Sequence, residues 1–531
     1  MHVLFIWPNL NAEEGFSHGI ACLSACLKAR GHRTSLINLN EALGPVPDQD
    51  EIVRRIRNLR PDLLAFSVMS QQYRYSLELA RAVRKAIPDL PIAIGGVHTI
   101  MCTQQVVRDG RAYGVWDYIG VGECDEALPL LVDRLERKDP AGADVPNFIV
   151  RRPDGTYKRN PLGGYPDLNQ LPPEDYEVFD LDPMLRAKNG WQSILTSRGC
   201  PYRCSYCLNY EVASRYLEEA KAPRTRYLRR YPVKRIIPEM RALLGRHPDI
   251  RMFIFDDDLF TLDPAYVIDF CKAYVDAGIA TPFVVNAHVQ SFTEPMARAL
   301  SEAPCMIVKF GLESGSPRMR EKVLDRHMSN KQIVDAFELC RAYNLHSSAF
   351  VMFGLPFEDR AMMDETIDLV ARIKPGRMRW AIFFPFAGTK AYEICRLGGL
   401  IDYPRMNAMD NYFVASCLKF DPATDLHVQK LQRVFHWHVN ARTGWDTAET
   451  YQKLVDQVEG ISAADWPAAR DGILQRDREL SNDLLARGRP HYSIRYTEVM
   501  AVHSDYVLAE SGQAKDQAAR RWVAFRSVVN R

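Results

Sequence analysis

Three cysteines, Cys200, Cys204 and Cys207, crowd onto one short run, Gly-Cys-Pro-Tyr-Arg-Cys-Ser-Tyr-Cys, just after a predicted strand. Thiolates are the soft donors that zinc and iron–sulfur clusters prefer. Three on a single loop leave a four-coordinate structural zinc site one ligand short, and no fourth cysteine or histidine follows nearby. A cubane [4Fe–4S] cluster with one iron left open matches the count. A chelating amino acid such as methionine can occupy that iron through its amine and carboxylate, and electron donation can then break a sulfonium bond.

The CxxxCxxC spacing, with the aromatic Tyr206 directly before the last cysteine, resembles the hallmark of the radical S-adenosylmethionine superfamily. The resemblance implies that Tyr206 sits at the S-adenosylmethionine site and that Glu313, in GLESGS, accepts hydrogen bonds from the ribose hydroxyls. It also implies that Ser316 and Arg326, the latter in LDRHMSN, contact the methionine end. GLPFED, beginning at Gly354, resembles the superfamily's Gly-Leu-Pro turn, where backbone approaches the adenine. The familiar Gly-Gly-Glu is absent and FDDDLF stands in its place. Asp256, Asp257 and Asp258 either replace it in binding the methionine ammonium or cap the helix that follows.

Residues 189–400 supply the elements that would position these groups: QSILTSR, MFIFDDD, FVVNA, MIVKFGLES, SSAFVMFG and MRWAIFFP, each trailed by helical periodicity. Six such units predict a partial (β/α)6 barrel, whose catalytic groups gather at the carboxyl ends of strands. Cys200, Asp256 to Asp258, His288, Glu313, Gly354 and Pro385 all fall there.

Residues 1–140 alternate short β-rich runs (VLFIW, TSLIN, LLAFSV, IAIGG, YIGVG) with amphipathic stretches, so the overall class is α/β with an N-terminal doubly wound, Rossmann-like parallel sheet. Ligands of such sheets lie beyond the carboxyl ends of the strands, which selects Pro8, Asn9, Ser67, Ser70, Gly95, Gly96, His98, Gly120, Gly122 and Glu123. Trp7-Pro8-Asn9-Leu10 follows the first strand where a dinucleotide fingerprint would need G-x-G-x-x-G, which disfavours NAD and FAD. Ahead of this barrel, IAIGGVHT and IGVGECDEALPLL resemble the cobalamin-binding domain of cobalamin-dependent radical enzymes, and the ten residues above become expected cobalamin contacts. The D-x-H-x-x-G motif that supplies a cobalt histidine in many corrinoid proteins is missing; Asp325-Arg326-His327 begins it but continues Met-Ser-Asn.

Residues 141–188 read as a linker arm with a small hairpin around Asp154 and Gly155, and residues 401–531 as a mainly helical region in contact with substrate. Within it, Val428, Leu431, Val434, Phe435 and His438 trace one helix face, while His436 and His438, two apart, point away from each other and make no metal pair. The basic stretch PRTRYLRRYPVKR at 223–235 reads as a solvated surface.

Over 531 residues, 68 Lys and Arg against 66 Asp and Glu leave a formal charge of +2, which excludes a long-range field for nucleic acid and favours a small-molecule or lipid-like substrate. The apolar start of the chain has no basic flank and no small-residue cleavage site, and no apolar run reaches a membrane span, so a cytoplasmic enzyme is expected. Of twelve cysteines, Cys22, Cys26, Cys271, Cys305, Cys340 and Cys395 sit singly in apolar patterns as core residues. Cys22, Cys26, Cys102 and Cys124 form no second cluster set, which argues against a methylthiotransferase.

The resemblance implies an oxygen-sensitive enzyme that cleaves S-adenosylmethionine to a 5′-deoxyadenosyl radical and methylates an unactivated carbon through methylcobalamin, fed by an electron donor such as flavodoxin or ferredoxin. Radical cyclisation, ring contraction or rearrangement with the same cofactors is the alternative. A non-catalytic corrinoid carrier or sensor would have no use for the cysteine loop.

Overall fold

The computed structural model describes residues 1–12, 14–139, 144–409, 411–412, 414–497 and 502–504. The last stretch of the expected helical region, 505–531, lies outside them. The chain forms two compact units, one of residues 1–202, 207–239 and 386–389, the other of residues 203–206, 240–385 and 390–531.

In the first unit β1 (His2–Pro8), β2 (Arg33–Leu39), β3 (Leu63–Ser67), β4 (Ile92–Gly95) and β5 (Tyr118–Gly120) are parallel in the order β2-β1-β3-β4-β5. Every residue of β1 is buried, as a central strand with helices on both faces requires. Leu4, Ile6, Leu64, Phe66, Ile92 and Ile94 form its core with Trp116. The strand order reverses between β1 and β3, and in doubly wound sheets that switch point opens the ligand crevice. The arm expected between the domains does not merely connect. Its hairpin, β6 (Phe148–Arg151) and β7 (Tyr157–Arg159), turns at Gly155 with φ +80° and extends the sheet antiparallel to β5. Strand β8 (Trp191–Ile194) and the short pair β9 (Ser197–Arg198) and β10 (Arg229–Arg230) complete the unit.

In the second unit β11 (Met252–Phe255), β12 (Phe283–Ala287), β13 (Cys305–Glu313), β14 (His346–Phe353) and β15 (Arg377–Ile382) pair in parallel, each with the next in sequence. Helices 264–276, 294–302, 330–342 and 360–373 return the chain between them. Of two strands absent from the sequence reading, β16 (Ile494–Thr497) and β17 (Val502–Ser504), β17 pairs antiparallel with β15 and β16 pairs antiparallel with β17.

Helix Pro422–Arg442 departs from its expected one-sided burial. Twelve of its residues are buried, including His427, Lys430, Gln432, His436 and Asn440 alongside the predicted apolar set. Buried polar groups need partners, and Lys430 finds them in the carbonyls of Glu459 and Ile461, at 2.9 and 2.8 Å. His436 and His438 do diverge, the first to Asp477 and the second towards Glu459.

Candidate functional site

The cysteine loop begins at a backbone constraint. Gly199 holds φ +96°, and a Cβ there would stand 2.4 Å from the Tyr227 carbonyl oxygen, so only glycine turns the chain from β9 into Cys200. The loop ends on helix Leu208–Glu219, with Cys207 as its N-cap, where the partial positive charge of the helix start suits a thiolate. Cys204 is buried, and Cys200 and Cys207 are partly exposed. Among the described residues no three His, Cys, Asp or Glu side chains converge on a single ion. A cubane gives each thiolate its own iron, so three thiols suffice for a cluster but leave a four-coordinate zinc one ligand short. Ser205, which the spacing motif leaves unspecified, anchors the loop: its amide donates to the Leu324 carbonyl at 2.8 Å and its hydroxyl to the Val323 carbonyl at 2.7 Å.

Arg326, Glu313 and Tyr206 meet in the second unit beside Cys204. The Arg326 guanidinium donates from Nη1 to Cys204 Sγ at 3.3 Å and from Nη2 to the Gly311 carbonyl, while its buried Nε has no hydrogen-bond partner among the described residues. Burial alone would lower the Arg326 pKa, yet Tyr206, Cys204 and Glu313 around it outweigh that and raise it. Glu313 ends β13 at φ +66°, where the register with β14 shifts. Its carboxyl is pushed up by burial, against the Arg326 charge and a hydrogen bond from the Tyr206 hydroxyl. A non-glycine residue in the left-handed region stores local strain, and such strain concentrates at functional sites.

Ser316 is buried, its amide donating to Ser314 Oγ at 3.2 Å. Gly315 before it donates to Thr366 Oγ1 at 2.8 Å, and a Cβ there would lie 2.3 Å from the Glu365 carbonyl oxygen. Gly315→Ala therefore has to push the GLESGS turn off helix 360–373, and we expect it to weaken S-adenosylmethionine binding by tenfold or so, measured by equilibrium dialysis, because a small misplacement is felt across a site.

Asp257 is buried, with Asp256 and Asp258 exposed on either side. None of the three caps the helix at 264–276. Asp263 does so, accepting from the Ala265 and Tyr266 amides at 3.1 and 3.4 Å. The capping alternative for FDDDLF thus gives way to a residue five positions beyond Asp258. His288, at the end of β12, is buried and pushed down to about 3, first by burial and then by the Arg326 charge, so it is neutral; its Nδ1 accepts the Gln290 amide at 3.3 Å.

The GLPFED turn revealed a residue that sequence reasoning passed over. Glu358 is buried, accepts the Leu355 amide at 3.1 Å on Oε2, and leaves Oε1 without a hydrogen-bond partner among the described residues. Burial pushes its carboxyl up to about 8, so it is protonated at neutral pH and holds the turn as a neutral group. The folded protein then binds a proton that the unfolded chain has released, so wild-type stability falls as pH rises from the ordinary 4.5 towards 8. Glu358→Gln should fold and should remove that decline: in thermal melts its advantage over wild type grows between pH 5 and pH 8.

In the first unit, the predicted sheet-end residues divide into two groups. Ser67, Gly95 and Gly96 line the ends of β3 and β4; Gly96 holds φ +98°, its Cβ position 2.6 Å from the Val68 amide nitrogen, whereas a Cβ on Gly95 would meet no atom within 4 Å. Ser70 Oγ lies 3.1 Å from His98 Nδ1, and His98 stacks on Tyr73 with ring centroids 4.1 Å apart. Burial pushes His98 down to about 4, and its Nε2 has no hydrogen-bond partner among the described residues. Open space over Gly95 and a neutral, orphaned imidazole nitrogen suit a flat ligand rich in amides. The others make contacts within the protein. Pro8 closes β1, Asn9 exchanges backbone hydrogen bonds with Leu39 and the side chain of Asn40, Gly120 accepts from Thr99, and Gly122 and Glu123 turn to Tyr216, Arg198 and Arg229.

Comparison with known proteins agrees with both units. Residues 194–370 match the family model of the Radical SAM superfamily, and residues 12–132 match that of the B12 binding domain. An uncharacterized methyltransferase of Pyrococcus horikoshii is 23% identical over 390 residues, covering 72% of this chain and 79% of the relative. Two solved structures share the fold. The cobalamin-dependent S-adenosylmethionine radical enzyme OxsB does so at TM-score 0.64 and 14% identity, over 100% of this chain and 80% of that one. The radical S-adenosylmethionine methyltransferase TsrM of Kitasatospora setae does so at TM-score 0.59 and 18% identity, over 75% and 76%. The two domain matches thus define a radical enzyme whose three-cysteine loop follows a doubly wound sheet domain. The chain pairs a B12 binding domain with a Radical SAM domain, the combination that the cobalamin-dependent radical S-adenosylmethionine resemblance called for, and its cofactors are a [4Fe–4S] cluster, S-adenosylmethionine and cobalamin.

Proposed function

We propose that this enzyme transfers a methyl group to a carbon of a small-molecule substrate, with Cys200, Cys204 and Cys207 as cluster ligands. The observation that carries the reading is the buried Arg326–Cys204 contact flanked by Glu313 and Tyr206, which gives one cysteine of the CxxxCxxC loop a fixed, charged partner. When bound, the cluster with S-adenosylmethionine supplies a one-electron route to hydrogen abstraction, and methylcobalamin supplies the methyl group. The protein's part is to hold and to shield. Glu313 offers a partly buried carboxylate to the ribose hydroxyls, the turn from Gly354 to Glu358 presents backbone to the adenine, and Arg326 Nε and Ser316 serve the methionine end. Asp257, the buried member of its triplet, is the candidate partner of the methionine ammonium. Ser67, Gly95, Gly96 and His98 are the sheet-end residues assigned to the corrinoid.

The helical region beyond residue 401 supplies substrate contacts in this reading, and a flavodoxin or ferredoxin supplies electrons. Among the described residues no helix is long and apolar enough to cross a membrane, and all twelve cysteines are unbridged, which suits a reducing cytoplasm. Anaerobic reconstitution tests the core. A brown protein with about four irons per chain, a hydroxocobalamin absorbance spectrum that stays with the protein on gel filtration, and 5′-deoxyadenosine formed under reduction are expected. A protein that takes up neither iron nor corrinoid would refute the proposal.

A further inference from the structure

We infer that Glu123, on the loop after β5, is a positioning residue for the cysteine loop rather than a corrinoid contact; this rests on the cysteines being cluster ligands. Its carboxylate bridges two arginines on paired strands. Arg198, two residues before Cys200 on β9, donates to Glu123 Oε2 at 2.7 Å, and Arg229 on β10 donates to both carboxylate oxygens, at 3.1 Å to Oε2. Asp125 completes the Arg198 clamp at 2.9 and 3.0 Å, and Cys22 Sγ accepts from the same guanidinium at 3.1 Å.

The same loop also grips the chain beyond the cysteines. The Glu123 amide donates to Tyr216 Oη at 2.7 Å, and Tyr216 belongs to the helix that Cys207 caps. Tyr216 is fully buried and stacks on Tyr165, over which Arg229 lies 4.7 Å from the ring centroid. Gly122, at φ +112°, has no room for a side chain, because a Cβ would stand 2.5 Å from that tyrosine hydroxyl. One acidic loop therefore holds both flanks of the cysteine run, before Cys200 through Arg198 and after Cys207 through Tyr216.

The charges balance as two arginines against two carboxylates, with side chains only 15% exposed for Arg198, 13% for Arg229, 18% for Glu123 and 6% for Asp125. Pairs buried to this degree add little net stability but fix geometry, and removing one partner leaves its mate uncompensated. The energy therefore goes into where Cys200 and Cys207 stand.

The test uses full-length protein carrying Glu123→Gln, with Glu123→Asp as the charge-conserving control and Tyr216→Phe, which deletes only the hydroxyl. Each is reconstituted anaerobically, and three quantities are read: the rate of iron release to a chelator, the electron paramagnetic resonance signal of the reduced cluster, and hydroxocobalamin affinity by absorbance titration. Glu123→Gln should release iron about tenfold faster with a broadened cluster signal, Glu123→Asp should fall between it and wild type, and hydroxocobalamin affinity should stay within twofold throughout. Tyr216→Phe should release iron about threefold faster, and it decides the matter should the Gln variant not fold. A Glu123→Gln protein that binds hydroxocobalamin tenfold more weakly while releasing iron at the wild-type rate makes Glu123 a corrinoid contact and overturns the inference. Wild type that takes up iron, with variants that match its release rate, overturns it alone; wild type that takes up none overturns the cysteine assignment as well.

Discussion

Cys204→Ala protein, reconstituted with iron and sulfide, is expected to hold no [4Fe–4S] cluster and to form 5′-deoxyadenosine only at the level of iron-free wild type. Loss of any of the three thiols should abolish activity, since a cubane ligated twice is labile. Cys204 differs from the other two in what its removal leaves behind. Its sulfur accepts from Arg326, a buried guanidinium whose other neighbours are Tyr206 and Glu313. Deleting the thiol strands part of a buried charge, which is costly. The melting temperature should therefore fall in Cys204→Ala and stay near wild type in Cys200→Ala, where the side chain is partly exposed.

Arg326→Gln separates the two roles of the pair. A Gln amide can still donate to sulfur but carries no charge, so the variant should load a cluster whose reduced spectrum is shifted. S-adenosylmethionine cleavage should fall about 10- to 100-fold, the usual cost of losing a partner that orients a metal ligand. Full activity in that variant would show that the guanidinium neither tunes the cluster nor meets substrate.

The contrast between these residues explains what could be read from sequence alone. The cysteine spacing, the GLESGS and GLPFED turns and the alternating strands are local patterns, and each maps onto one loop or one strand end in the structure. Glu123 could be placed at a sheet end by its position after a predicted strand. Its partners, Arg198 and Arg229, lie 75 and 106 residues away, and nothing in the spacing links them. The same limit applied to FDDDLF, where a run of three carboxylates drew attention from the single Asp263 that caps the helix. Glu358 was hidden for a different reason: a glutamate written in a turn reads as solvated, and only burial shows it to be a neutral structural group. Arg326 could be singled out from its motif for the methionine end, but not as a partner of Cys204.

Helix Pro422–Arg442 shows how far pattern can mislead when polar residues are buried, and the expected behaviour of Asp477 follows from the same packing. Asp477 is fully buried and accepts four hydrogen bonds: His436 Nε2 and Trp437 Nε1 at 2.7 Å, and Ser493 Oγ and the Ile494 amide at 3.0 Å. It thus ties helix 422–442 to β16, which pairs with β17 beside the parallel strands. Asp477→Ala leaves all four donors buried and unsatisfied, and the expected loss is about 3 to 5 kcal/mol, the range for breaking a buried charged pair. The pH dependence has a definite sign. Burial alone would raise the Asp477 pKa, but the His436 charge and the hydrogen bonds from His436, Trp437 and Ile494 outweigh it and hold the carboxyl below its ordinary 3.8. The unfolded chain then takes up its proton first as pH falls, so the stabilisation is complete above the ordinary value and disappears as pH drops through the depressed one. Asp477→Asn, which cannot titrate, should be less stable than wild type at pH 7 by urea denaturation, and that gap should close below about pH 4. A gap that is unchanged at acid pH would mean that shape, not the carboxylate's charge, secures the junction.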